Sequence, residues 1–254
     1  MSYPTCLFCG RDDSPPSHEH VIPKWIPREF PGGVWDITNR LTQHVRAGRK
    51  YIDLTIRAPC ERCNNGWLSR LEQIAKPILL PLIHGTATDL RLLEQRIIAV
   101  WLFKTAVMYD LHSEKYAPRP RYFDDDELRL LAKTGGFNGK YRMFVGEYFG
   151  TQHGFMQEDH SGLITVERDT LKPVSDPVRI YSFTFAIERL ILQIFCAKLK
   201  ERGTSYIRDF RDFYVELGIS ANPVSWPPPK PMNEEMAEAF THRWFDIQVP
   251  PISE

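Results

Sequence analysis

The sequence has no excess of charge of either sign and no long apolar segment. Its 254 residues carry 32 Lys and Arg against 32 Asp and Glu, so the formal net charge at pH 7 is zero. This balance excludes a histone-like or generally basic nucleic-acid binder, although it is compatible with a local basic surface. A membrane helix needs about 20 consecutive apolar residues, and the longest apolar stretch, residues 97–109, is interrupted by Lys104. We therefore expect no transmembrane helix and no membrane partner.

Cysteine is also scarce, which excludes a disulfide-stabilised scaffold. There are five cysteines in the chain, too few for a small secreted fold held together by disulfides. The first ten residues, MSYPTCLFCG, show neither the charged nor the apolar region of a secretory signal. We expect a cytoplasmic protein with reduced thiols, in which the unpaired Cys196 is a small core residue.

Four of the five cysteines form two CxxC pairs. They are Cys6, Cys9, Cys60 and Cys63. Two thiolates from each of two tight turns make the donor set of a tetrahedral structural Zn²⁺ site. Such a site holds together the two ends of the segment between the pairs. That segment contains Glu19 and His20, a carboxylate and an imidazole adjacent in sequence, with Pro23 three positions later.

The order CxxC, Glu-His-x-x-Pro, CxxC-Asn resembles the zinc-knuckle branch of the HNH endonucleases, which are ββα-metal nucleases. The string CERCNNGWLSRLE, residues 60–72, is similar to the end of a bacterial subgroup in which Asn replaces the usual His after the second CxxC. The resemblance covers roughly residues 1–80. It implies that residues 1–84 form an HNH-type zinc-knuckle nuclease domain, and it assigns no role to residues 85–254.

The resemblance also implies the roles of individual residues. His20 corresponds to the general base that deprotonates water, and Glu19 corresponds to a ligand of a divalent ion. Asn64 follows the last cysteine and corresponds to the second ligand, with Asn65 as the alternative. Carboxylate and amide oxygens favour Mg²⁺ or Mn²⁺ as the catalytic ion. Asn39 is the candidate for the family's middle Asn, which positions the base.

Basic side chains supply candidates for contacts with nucleic acid. Lys24 and Arg28 follow shortly after His20, where they are placed to hold a scissile phosphate. Arg49 and Lys50 belong to a basic segment between the CxxC pairs that could follow a phosphate backbone. A solvated hairpin is the alternative interpretation of that segment.

The apolar pattern predicts strand, strand and helix between and after the CxxC pairs. Residues 19–22 and 51–56 are expected to be strands, with a hairpin turn at residues 47–49 before the second, and a helix is expected after Cys63. This is the order that a ββα-metal nuclease needs.

The remainder of the chain predicts an α+β domain with an antiparallel sheet and long helices. The periodicity predicts long helices over residues 89–112 and 185–202 and a shorter helix over residues 206–217. Asp89 is the expected N-cap of the first, and an acidic run at residues 124–127 predicts a capped helix start. We expect this part, residues 85–254, to have a core separate from that of residues 1–84.

Two functions are compatible with the sequence. The first is a metal-dependent endonuclease acting on DNA, with RNA as an open alternative substrate. One HNH site cuts one strand at a time, so cleavage of both strands would need two turnovers or a homodimer. The second is a non-catalytic zinc-binding module that docks nucleic acid or protein. Cleavage of plasmid in the presence of Mg²⁺ or Mn²⁺ discriminates between them.

Overall fold

A computed structural model describes residues 2–31, 35–39, 44–49, 54–115, 121–138, 141–151, 153–163, 178–198, 212–218 and 222–242. The fold is α+β. Its helices are α1 (Trp25–Glu29), α2 (Glu61–Cys63), α3 (Ser69–Ile83), α4 (Leu92–Ser113), α5 (Asp125–Thr134) and α6 (Glu234–His242), and a π-helical turn, Asn64–Leu68, joins α2 to α3. Its strands are β1 (Glu19–His20), β2 (Trp35–Asn39), β3 (His44–Arg49), β4 (Thr55–Ile56), β5 (Thr88–Leu90), β6 (Tyr141–Glu147), β7 (Gly154–Leu163), β8 (Val178–Ile187), β9 (Leu190–Lys198), β10 (Tyr214–Glu216) and β11 (Val224–Trp226).

Within the described residues the main sheet has seven strands, in the order β10-β6-β9-β8-β7-β2-β3. Its neighbours are antiparallel, as expected from the sequence, except for β2 and β7, which run parallel with Trp35 opposite Gly154. Strands β2 and β3 come from the segment between the two CxxC pairs. That segment therefore extends the sheet built by the rest of the chain.

The central strands β8 and β9 are covered on both faces. On one face lies α4, where the hydroxyl of Tyr181 donates to the carbonyl of Ala106 at 3.2 Å. On the other face lies α6, where the amide of Gln193 donates to the carbonyl of Phe240 at 2.9 Å. Both strands are consequently buried along almost their whole described length.

Burial on both faces explains why the helix predicted at residues 185–202 is wrong. Ile187 ends β8 and Leu190 begins β9, and the two residues are paired across a tight turn in which Glu188 has φ 48°. A strand with two buried faces is apolar at nearly every position, so helical spacing also occurs within it by composition alone.

Two further local predictions are wrong in the residues that the structure describes. Residues 214–216, expected in a helix, form β10 and pair with β6. Residues 47–49, expected to be a turn, belong to β3, where Arg49 pairs with Trp35. In both places pairing with a distant strand overrides the local preference.

The helix predictions near the chain centre are confirmed with one change. Helix α4 covers most of the predicted range, but Asp89 lies in β5 and accepts a 2.7 Å hydrogen bond from Ser225 rather than capping the helix. Helix α5 begins as predicted, because the Asp124 carboxylate accepts from the backbone N–H of Glu127 at 2.9 Å. No described helix combines the length and the apolar character required to cross a membrane.

The prediction of two separate cores is wrong. One buried apolar cluster contains Ile56 and Leu79, from before residue 85, together with Leu102 and Phe183, from after it. Helix α4 joins the two parts of this cluster, because it is apolar around its circumference and packs against both α3 and β9. The assignment of residues 1–84 and 85–254 to different roles stays a prediction.

Candidate metal centre and its surroundings

The sulfur atoms of the two CxxC pairs converge. Cys6 Sγ lies 3.9 Å from Cys63 Sγ, Cys9 Sγ lies 3.8 Å from Cys60 Sγ, and all four lie within 4.8 Å of one another. The four thiols are free. Ligands about 2.3 Å from a tetrahedral Zn²⁺ are separated by about 3.8 Å. The donor set and its spacing therefore fit a structural zinc ion, as the sequence predicted.

The first CxxC pair lies in a turn that needs glycine. The backbone N–H of Gly10 donates to the carbonyl of Cys6 at 2.9 Å, and the N–H of Cys6 donates to the carbonyl of Arg11 at 2.8 Å. Gly10 has φ +68°, a left-handed conformation that side chains disfavour. This turn directs the thiols of Cys6 and Cys9 toward the same point.

The second CxxC pair lies at a helix start. Cys60 has an extended backbone (φ −80°, ψ 163°) and α2 begins at the next residue, so Cys63 lies one turn later on the same side. The backbone N–H of Cys60 also points to Cys6 Sγ at 3.3 Å. The two pairs are thus joined by hydrogen bonding as well as by the arrangement of their sulfurs.

As free thiols, Cys9, Cys60 and Cys63 differ in the direction of their pKa shifts. Burial raises the pKa of Cys60, but hydrogen bonds from the Cys63 backbone and the neighbouring thiols outweigh this and lower its pKa to about 7. Burial raises the pKa of Cys63, and the charge of Cys6 raises it further. Burial also raises the pKa of Cys9. A bound cation would reverse these increases, because a thiol that coordinates a metal is deprotonated.

Backbone hydrogen bonds hold the segment before β1 against the second CxxC pair. The N–H of Ser17 donates to the carbonyl of Pro59 at 2.8 Å, and the N–H of Glu61 donates to the carbonyl of Pro15 at 2.9 Å. Pro16 also forms an isolated antiparallel bridge with Cys60. The metal centre therefore fixes the start of the strand that carries Glu19 and His20.

Asn64 completes this connection through its side chain. Its amide nitrogen donates to the Ser17 hydroxyl at 2.7 Å and to the His18 carbonyl at 3.3 Å. Both hydrogen bonds are donated by the amide nitrogen, so the amide oxygen is the atom that would coordinate a cation. Asn65, the alternative ligand in the sequence, is exposed and makes neither of these bonds.

Glu19 and His20 form β1, which pairs antiparallel with β4, and both side chains are partly buried. Burial raises the pKa of the Glu19 carboxyl; the positive charge of Lys104 opposes this rise, and the negative charge of Glu72 adds to it. In the chain α1, β2 and β3 separate β1 from β4, and α2, the π-helical turn and α3 follow β4. Among the described residues, only the cysteine cluster brings three or more His, Cys, Asp or Glu side chains within ligating distance, so a second ion would rely on Glu19, an amide and water.

A buried ionic network beside Glu19 is absent from the sequence predictions. Lys104 is fully buried in α4, and its Nζ lies 2.6 Å from Glu72 Oε1, although none of its N–H bonds meets a described acceptor at a hydrogen-bonding angle. The indole N–H of Trp101 donates to Glu72 Oε2 at 3.0 Å, and that of Trp25 does so at 3.2 Å. In the sequence this network is indicated only by Lys104, a lysine within an apolar helical run.

The remaining predicted site residues lie apart or outside the described side chains. Lys24 and Arg28 are exposed at the two ends of α1. Asn39 lies in β2 of the main sheet, whereas His20 lies in the separate two-stranded sheet. Arg49 ends β3, but its side chain and that of Asn39 are outside the described part, as is all of Lys50. The roles of these five residues stay predictions.

Comparison with known proteins yields no relative. No protein-family model matches the chain, and neither a curated protein nor a solved structure matches it significantly.

Proposed function

We propose that the chain is a metal-dependent endonuclease acting on DNA, with a structural Zn²⁺ bound by the cysteine cluster. The observation that carries the proposal is the pair of hydrogen bonds from Asn64 to Ser17 and His18. They join the residue after the second CxxC pair to the segment that leads directly into Glu19 and His20. This connection supports the proposal that His20, Glu19 and Asn64 act together beside the cysteine cluster.

Each group has a chemical role in this proposal. His20 accepts a proton from the attacking water, the usual task of a histidine general base. Glu19 and the amide oxygen of Asn64 would hold Mg²⁺ or Mn²⁺, hard cations that suit oxygen ligands and stabilise charge on a phosphate. The pairing of β1 with β4 orients His20 and Glu19 on a short, partly buried strand, which limits their motion.

Two exposed basic side chains of α1 favour an anionic polymer as the substrate. Lys24 and Arg28 are exposed on α1, and neither forms an ion pair with a carboxylate in the described residues. Unpaired cations can bind the phosphates of a nucleic-acid backbone. A homodimer would supply the second site needed for concerted cutting of both strands. The reduced thiols favour a cytoplasmic location.

One observation favours the alternative, a non-catalytic zinc-binding module. Asn64 has a complete structural explanation in its two hydrogen bonds, so its presence does not require a second metal ion. In such a module the same framework would present α1 to nucleic acid or protein without cutting it.

The deciding experiment is plasmid cleavage by the purified full chain with Mg²⁺ or Mn²⁺, with and without chelator. His20→Ala should reduce the rate about 10²- to 10⁴-fold, as expected for loss of a general base, while zinc content is unchanged. His18→Ala is the matched control, because His18 is the exposed neighbouring histidine. Wild-type cleavage by His20→Ala would remove His20 as the base. Absence of cleavage of DNA and RNA by the wild type with either ion would favour the binding module.

A further inference from the structure

A cavity of ≈ 310 Å³ lies between α3, α4 and α5. Its volume is at the lower end of ligand pockets, which span about 300–1,000 Å³. The walls are mostly aliphatic, so an occupant needs an apolar body of modest size. The lining residues include Trp67, Arg70, Ile74, Arg96, Val100 and Ala132.

Two cations border this apolar space. Arg70 of α3 and Arg96 of α4 are exposed lining residues, and neither guanidinium makes an ion pair or hydrogen bond within the described part of the chain. By contrast Arg129, on α5, pairs with Asp125 at 3.4 Å. Two unpaired guanidinium groups at one apolar cavity are complementary to an anion, which arginine binds with directional hydrogen bonds.

A residue that lines the cavity also carries a buried donor. Trp67 lines it, and its indole Nε1 is buried and finds no acceptor among the described residues. A buried N–H without an acceptor is destabilising, because it has lost its hydrogen bond to water. A turn of the indole toward the cavity would let an oxygen of a bound molecule accept from this donor.

We propose that this cavity is a binding site for a small organic anion with an apolar body, such as a medium-chain carboxylate. The aliphatic walls contact the apolar body of the ligand, Arg70 and Arg96 pair with its negative charge, and the Trp67 indole donates a hydrogen bond to one of its oxygens. The ring centroid of Trp67 lies 5.7 Å from that of Phe8, which stands between the cysteines of the first CxxC pair. One wall of the cavity therefore packs against the metal centre. The site is independent of the proposed nuclease activity.

The test is binding of 8-anilinonaphthalene-1-sulfonate to the zinc-loaded full chain, followed by displacement with octanoate or octanol. The wild type should bind one dye molecule saturably, and octanoate should displace it at least tenfold more effectively than octanol. Arg70→Gln/Arg96→Gln should abolish this difference, and Ala132→Trp, which fills the cavity, should abolish binding. Trp67→Phe keeps an aromatic wall but loses the N–H, and should weaken octanoate several-fold.

Lys133→Gln is the matched control, since Lys133 is an exposed cation of α5 that does not line the cavity. It should bind like the wild type. The arginine substitutions are at the surface and leave the core packing unchanged. They therefore test the proposed anion site even if Ala132→Trp is unstable. Equal displacement by octanoate and octanol, no saturable dye binding, or dye binding unaffected by these variants would each overturn the proposal and favour a protein-docking face.

Discussion

The amide nitrogen of Asn64 lies 2.7 Å from the hydroxyl oxygen of Ser17, a residue 47 positions earlier in the chain. Asn64 directly follows the second CxxC pair, and Ser17 precedes the strand that carries Glu19 and His20. The bond therefore connects the metal centre to the candidate catalytic strand. A substitution at Asn64 should therefore affect both the metal centre and the strand that carries Glu19 and His20.

Asn64→Ala should lower the free energy of unfolding by about 1–3 kcal/mol, because two hydrogen bonds worth about 0.5–1.5 kcal/mol each are lost. Urea unfolding of the zinc-loaded protein measures this difference. Asn65→Ala is the control, because Asn65 is exposed, and its effect should stay within about 0.5 kcal/mol. Equal stability of the two variants would contradict the connecting role of Asn64.

The purified protein should contain one Zn²⁺ per chain, and Cys60→Ser should lose it. Loss of one thiolate opens the tetrahedron, and metal binding is coupled to folding in a segment with little core of its own. Elemental analysis and thermal unfolding measure both effects. Cys196→Ala should retain zinc, because Cys196 is buried in β9, away from the cluster. A zinc-free wild type would refute the metal centre.

Lys104→Met should destabilise the fold by about 3–5 kcal/mol, because it leaves the Glu72 carboxylate without its buried cation. The same substitution at Lys76 should cost under about 1 kcal/mol. Lys76 pairs with Glu29 at 3.7 Å, but both side chains are more than a third exposed. Chemical denaturation of the two variants compares the pairs directly. Similar losses would show that the network around Glu72 contributes no more than a surface contact.

Glu19→Gln should be more stable than the wild type at pH 7.5 without added Mg²⁺ or Mn²⁺. Burial raises the pKa of Glu19 in the folded state, so above that pKa the carboxylate is less favourable folded than unfolded. The advantage should shrink as the pH falls and should vanish below about 4.3, the ordinary pKa of glutamate, where the carboxyl is protonated in both states. Urea midpoints across this range, with Glu61→Gln as the exposed control, measure it. A pH-independent difference would exclude this cause.

The sequence by itself determined the features that depend on local chemistry. The CxxC spacing predicted the four-thiol cluster, because each turn presents two sulfurs whatever the rest of the chain does. Asp124 predicted the start of α5, because a cap bonds to a backbone N–H three residues away. The helix after Cys63 and the long α4 followed from apolar periodicity sustained over many residues.

Only the tertiary structure decided what depends on distant partners. Residues 187–195 have an apolar pattern that suits a helix, but burial between α4 and α6 favours the end of β8, a turn and β9. Glu72 and Lys104 are 32 positions apart in sequence (104 − 72), and their ion pair exists because α3 packs along α4. The joint core across residue 85 has the same origin. Local sequence patterns indicate which side chains are buried, whereas tertiary packing determines which residues bury them.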